Sequence, residues 1–273
     1  MRGRISTEAG GGFYPAPQRY RLYLSPGSPR SMRVSATLGL LGLTGVVVTT
    51  SVPALAEPPA GLRGAYEASL HRYSGPLTVP ALCDGWSGRL VSNHTPDILR
   101  DLAERFRAAT PSGAPDLRPP ALVEEIDALC ELLDRDVAEP LRQVCEGAAP
   151  ASAPGGRPGA GDTMAAALEV FDHRLARRPF LLGGEPTAAD VDLWAALVHL
   201  DAVHRPHLDA GTVRALAGYE HLWAYGRRLH AHPAFHNAFD RAETGRLHRH
   251  TCRGPESSGA AEPLHGVLTP RAA

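Results

Sequence analysis

Arg19-Tyr20-Arg21-Leu22-Tyr23-Leu24-Ser25-Pro26-Gly27-Ser28-Pro29-Arg30 decides how the first half of the chain is read. Residues 21–25 are a short strand, with apolar and aromatic side chains alternating before a breaker. Pro26-Gly27-Ser28-Pro29 is a turn, and Pro29 suits the first helical position, where its missing N–H removes no helical bond. A helix runs on to about Leu41, and the β-branched residues 45–50 read as a buried strand. Strand, helix, strand is a βαβ unit with two parallel strands.

Residues 53–59 form a loop and residues 62–70 a short helix. Residues 78–83 and 89–92 read as strands around an Asp84-Gly85 turn. Residues 96–106 are an amphipathic helix carrying Ile98, Leu99, Leu102 and Phe106. The order β-α-β-α-β-β-α is that of a thioredoxin-like α/β domain, placed at residues 19–108 behind a flexible N-terminus, residues 1–18. Residues 109–120 are a Pro/Ser/Gly-rich linker.

Beyond the linker the apolar period becomes helical, as in Leu122, Ile126, Leu129, Leu133 and Val137, and residues 121–252 read as an all-helical domain. Helical patterns cover residues 164–175, 188–203 and 220–230; residues 147–161 are a low-complexity loop and residues 253–273 a disordered tail. Thr187-Ala188-Ala189-Asp190 is a capping box, in which each terminus accepts from the other's amide; such a cap contributes roughly 1 kcal/mol.

With 273 residues and a formal net charge of −1, the chain has no bulk field favouring nucleic acid or an anionic membrane. All 28 basic residues are arginine, which excludes mechanisms that need a lysine. Cys83, Cys130, Cys145 and Cys252 form no C-x-x-C pair, and their spacing suits neither a zinc site nor a disulfide framework; they read as reduced thiols of a cytoplasmic protein. Of 13 histidines, His199, His204 and His207 lie close together, and His248 and His250 end the helical region. The step from 199 to 204 is five residues, off one face of an α-helix, so no metal is expected. Residues 34–52, ahead of Ala54-Leu55-Ala56, imitate a secretory leader with an internal start at Met32, although Gly39, Gly42 and Gly45 interrupt them. The alternative is then a secreted protein without the first strand.

Five collinear segments stand out: residues 19–25, Tyr73-Ser74-Gly75-Pro76-Leu77-Thr78-Val79-Pro80, residues 187–193, Asp201-Ala202-Val203 and Leu222-Trp223-Ala224-Tyr225. They are similar to the glutathione transferase superfamily. Within it they most resemble the xi class, the glutathionyl-hydroquinone reductases. The resemblance implies a thiol site on the first domain, for glutathione or another low-molecular-weight thiol as co-substrate, and a small electrophile or quinone-like substrate on the helical domain. It also implies a homodimer. Ser28-Pro29-Arg30 stands where the family has Cys-Pro-Trp, and Arg33 falls at a family arginine. Serine cannot form the mixed disulfide of the reductase reaction, so that reaction is expected to be lost. Ser28 then serves either as hydrogen-bond donor to a bound thiolate or as an N-cap alone. Val79-Pro80 matches the family's Val-cisPro, the other reading being a trans edge-strand proline. His94-Thr95 replaces Glu-Ser at the γ-glutamyl end, or simply caps the next helix. His204 and His250 fall among the lost tyrosines of the substrate pocket. Two functions follow: a serine-type thiol transferase, or a catalytically silent thiol-binding or scaffolding protein.

Overall fold

The computed structural model describes residues 1–6, 12–146 and 159–268. Two units emerge: Met1–Arg118 with Pro233–Glu243, and Pro119–His232 with Thr244–Ala273.

In the first unit β1 (Tyr20–Leu24), α1 (Pro29–Leu40), β2 (Val48–Ser51), α2 (Ala60–Ser69), β3 (Ala81–Asp84), β4 (Arg89–Ser92) and α3 (Thr95–Arg105) follow one another. The sheet order is β2-β1-β3-β4. β1 pairs parallel with β2, Leu22 opposite Thr49, and antiparallel with β3, Tyr23 opposite Ala81. The pleat sends Tyr23, Ala81 and Cys83 into a core with Leu62 and Tyr66 of α2. Tyr20, of opposite parity, meets Phe106 beyond α3 edge to face, with ring centroids 5.9 Å apart. The thioredoxin-like domain has the expected element order. Residues 34–52, the alternative leader, supply most of α1 and β2, and Val34, Leu38, Leu43 and Val47 are buried.

Three boundaries of this unit differ from the sequence reading. Residues 1–6 are not loose: Arg2 bridges antiparallel to Ser92, and Gly3 N donates to Val91 O at 2.9 Å. They cover the outer edge of β4, which would otherwise present unpaired backbone groups. A Cβ on Gly3 would sit 2.5 Å from Val91 O, so only glycine allows this approach. Arg2 and Arg4 then pair with Asp97 (2.9 Å) and Asp101 (2.6 Å) of α3. The 109–120 segment is not a free linker, because Leu117 is buried and Arg118 reaches Glu104 at 3.0 Å. Residues 233–243 leave the helical domain: α10 (Pro233–His236) packs on α1, and Glu243 accepts from Ala54 N at 2.9 Å. Composition alone did not reveal these long-range partners. Residues 7–11 of the expected flexible N-terminus lie outside the described residues.

Arg19 closes this unit. Its guanidinium bonds Asp84 at 2.6 and 3.0 Å and lies 4.4 Å from the Tyr14 ring centroid and 4.6 Å from that of Trp86. Burial pushes the Asp84 carboxyl up, but bonds from Arg19 and Ser87 outweigh it and hold it below its ordinary value.

The second unit is helical. α4 (Val123–Leu133) continues through a π-turn, Asp134–Ala138, into α5 (Glu139–Cys145). α6 (Ala160–Leu175) and α7 (Ala188–His199) follow, the latter running into a second π-turn, Leu200–His204. α8 (Ala210–Ala217), which the sequence reading did not separate, precedes α9 (Glu220–His230). Residues from Thr244 on in α11 (Arg241–Thr251) and a 3₁₀ turn, Ser258–Ala261, complete it. The tail is ordered over residues 253–268, with Leu264 and Val267 buried; residues 269–273, like 147–158 of the low-complexity loop, are outside the described residues. Asp190 is its polar hub. Its carboxylate accepts from Thr187 N and Thr187 Oγ1 (both 2.8 Å), Leu181 N (2.9 Å) and Tyr225 Oη (2.7 Å), all buried. The capping residue thus also ties α9 to α7, and the Thr187 hydroxyl donates to the carboxylate. No helix among the described residues is long and apolar enough to cross a membrane.

Asp190→Ala leaves three donor residues without their buried acceptor and should lower stability by at least about 3 kcal/mol, seen as a lower urea midpoint at unchanged slope. The Arg19–Asp84 pair stabilises the fold above the unfolded carboxyl value of about 3.9 and loses that contribution as pH falls through the lower folded value. A carboxyl-detected NMR titration should place Asp84 below the ordinary range, and Arg19→Met should move it above.

Candidate functional site

The register of the sheet gathers three loops at one end. β1 leaves the sheet through Leu24 into Ser25–Ser28, while β3 enters antiparallel beside it at Ala81, directly after Val79-Pro80. β4 returns antiparallel to β3 and exits through Ser92 into Asn93-His94-Thr95. Ser28, Val79-Pro80 and His94-Thr95 are far apart in sequence and share this end. The Val79-Pro80 bond is cis, as the family pattern implies.

Ser28 is the N-cap residue of α1, with extended backbone (φ −95°, ψ 129°), and its side chain makes no capping hydrogen bond. The turn is held instead by Ser28 N donating to Ser25 O (3.0 Å) and Ser25 N donating to the buried Ser31 hydroxyl (3.0 Å). Half-buried, the Ser28 hydroxyl is left beside the orphan N–H groups of a 12-residue helix, where partial positive charge favours an anion. Arg30 is exposed on the first turn and Arg33 half-buried one turn on. Thr95 is buried. His94 turns its Nδ1 to Asp97 Oδ2 at 3.1 Å.

Sequence reading missed the brace behind these loops. Tyr66 Oη donates to Thr78 O at 2.9 Å, and Asn93 Nδ2 donates to Tyr66 Oη (3.0 Å) and Thr78 Oγ1 (2.9 Å). One tyrosine of α2 thereby couples the loop before Pro80 to the loop before α3. Only the polar run Ser92-Asn93-His94-Thr95 hinted at it.

In the helical unit His204 and His250 do not come together. His250 is exposed; His248, two residues earlier and so on another face of α11, has its ring centroid 5.6 Å from that of His204. The five-residue step from His199 to His204 crosses the π-turn, in which Arg205 N donates to Leu200 O, and their centroids lie 5.9 Å apart. A π-turn brings i and i+5 together, which the α-helical rule excludes. Cys145 joins them, its Sγ 3.0 Å from His204 Nδ1 and 3.8 Å from His248 Nδ1. All four cysteines are free thiols. Burial pushes the Cys83 thiol up to about 12, as for an inert core cysteine.

Residues 120–228 match the family model described as glutathione S-transferase, C-terminal domain. The fold is that of the glutathione transferases. A glutathione transferase from Gordonia bronchialis superposes with a TM-score of 0.80 at 27% identity, over 96% of this chain and 89% of its own. The glutathionyl-hydroquinone reductase YqjG of Escherichia coli is 28% identical over 242 residues, 82% of this chain and 72% of that protein. The reductase PcpF of Sphingobium chlorophenolicum is 27% identical over 81% of this chain and 74% of its own. Within this transferase fold the loops gathered at the sheet end belong to the thioredoxin-like part, and the Cys/His cluster to the helical part.

Tyr66→Phe removes the shared hydroxyl. Hydrogen exchange over residues 76–81 and 92–95 should speed up about tenfold, the equivalent of roughly 1.4 kcal/mol, while the remaining sheet amides keep their protection.

Proposed function

We propose that the protein binds glutathione or a related low-molecular-weight thiol at the sheet end shared by Ser28, Val79-Pro80 and His94-Thr95, and transfers it to small, quinone-like electrophiles. The observation carrying this reading is a Ser28 hydroxyl at the N-terminus of α1 that does not cap its own helix. A purely structural capping serine would bond an amide of the first turn. The orphan N–H groups of α1 favour the thiolate over the thiol, and a hydroxyl donating to the sulfur adds a charge-assisted bond of about 1.5–3 kcal/mol. The thiolate attacks the electrophile, a carbon–sulfur bond forms, and the leaving group or added electron pair takes its proton from solvent.

Support comes from the reductase relatives and from a glutathione-bound structure of YqjG. Their reaction is proposed to be absent here: a disulfide to glutathione requires sulfur at position 28, and oxygen cannot form one. Arg30 and Arg33 add positive potential near the helix start. His94, its Nδ1 close to Asp97, offers the γ-glutamyl amine less than a free carboxylate would. That favours testing other thiols beside glutathione, and it is also what motivates the silent-binder reading. Homodimerisation through the helical unit belongs to the same proposal and is checked by light scattering.

Calorimetry should detect binding of at least one thiol, and ultraviolet titration should place the bound thiol below its free value. Ser28→Ala should cut conjugation of an aromatic electrophile about tenfold to hundredfold, the effect of one charge-assisted bond. Ser28→Cys should gain glutathionyl-hydroquinone reductase activity. Binding with an unshifted thiol, together with unchanged Ser28→Ala, would leave the silent binder as the correct reading.

A further inference from the structure

We propose that Cys145, His248 and Cys252 form a binding site for one thiophilic metal ion of the zinc type, held by two thiolates and one imidazole. Their ligand atoms all lie within 4.8 Å of one another. Around a tetrahedral ion with bonds of about 2.3 Å to sulfur and about 2.0 Å to nitrogen, ligand atoms sit roughly 3.5 Å apart. Cys145 Sγ and His248 Nδ1 stand 3.8 Å apart, so a small closing movement completes the set.

The backbone holds the ligands together. His248 and Cys252 are four residues apart and face one way at the end of α11. Directly after Cys252, Arg253 N and Gly254 N both donate to the Cys145 carbonyl, at 2.6 and 2.8 Å. A Cβ at Gly254 would lie 2.1 Å from Val144 O, so this close approach requires glycine. The segments that carry the two thiols are thus fastened main chain to main chain beside the sulfurs.

A chain of hydrogen bonds aims the imidazole. The Pro255 carbonyl can only accept, so His207 Nδ1, 3.0 Å away, carries the proton. In neutral His207, Nε2 is therefore an acceptor, and its neighbour at 2.9 Å, His248 Nε2, must be the donor. His248 is left with a bare Nδ1 turned toward Cys145. Ligating histidines are commonly oriented in this way, by donating the other ring N–H to a fixed acceptor. His204 Nδ1, 3.0 Å from Cys145 Sγ, flanks the open side. On binding, both S–H bonds break and two protons pass to the buffer; no oxidant is needed.

This site is independent of thiol binding near Ser28 and is tested on the reduced full-length chain with cobalt(II) as spectroscopic substitute. One equivalent should give thiolate-to-cobalt charge-transfer bands with intense tetrahedral d–d absorption, displaced by zinc(II), with release of two protons. Cys145→Ser and Cys252→Ser should abolish the charge-transfer bands at unchanged circular dichroism, and His207→Ala should weaken affinity about tenfold to hundredfold. In the unmutated protein zinc should protect Cys145 and Cys252, but not Cys130, from alkylation, which reads the site even if a variant fails to fold. Absence of charge transfer in the reduced protein would overturn the proposal, as would its survival in both serine variants. So would a Cys145–Cys252 disulfide in a protein that takes up no metal when reduced.

Discussion

Tyr23 lies opposite Ala81 in an antiparallel ladder, and Leu22 lies opposite Thr49 in a parallel one. With β1 paired on both sides, its C-terminal end must fall where β3 begins, so the Ser25–Ser28 turn and Val79-Pro80 lie at the same end of the sheet. A slip of one residue would exchange the faces of Tyr23 and Leu22, moving one out of the α2 core and the other into it. The buried core therefore enforces the register, and the register brings the candidate thiol site together. Tyr66 stands at the junction of these two demands. Its ring is buried with Tyr23 and Leu62, while its hydroxyl braces the loops before Pro80 and His94.

In the helical unit the corresponding constraint is Asp190. A buried carboxylate with four donors fixes the start of α7 and the position of α9. From that fixed start α7 runs apolar and buried to His199, where the π-turn alters the phase of the helix and rotates His204 toward Cys145. π-turns are rare and recur at functional positions. Here one sets the geometry of a Cys/His cluster.

The two proposed sites rest on opposite treatments of polar groups. At the sheet end the open groups are a hydroxyl and the amides of a helix terminus, suited to a small anion. In the helical unit they are thiols and neutral imidazoles with lone pairs, suited to a soft cation. Arg19 shows a third case, a guanidinium fully engaged by Asp84 and two aromatic faces, which locks structure and leaves nothing open for a ligand.

The sequence by itself determined the element order of the first unit, the start of α1 at Pro29, the Thr187–Asp190 cap and the helical character of the second unit. Each of these follows from local steric and hydrogen-bonding preferences that act within a few residues. Tertiary structure decided the rest. Residues 1–6 cover β4 because Gly3 fits against Val91 O; residues 233–243 join the first unit; the tail after Cys252 is fastened to Cys145. Cys145 lies more than a hundred residues from His248 and Cys252, so spacing rules written for local motifs did not see the cluster. Backbone pairing between distant segments brings such groups within bonding distance, and no local propensity records that pairing.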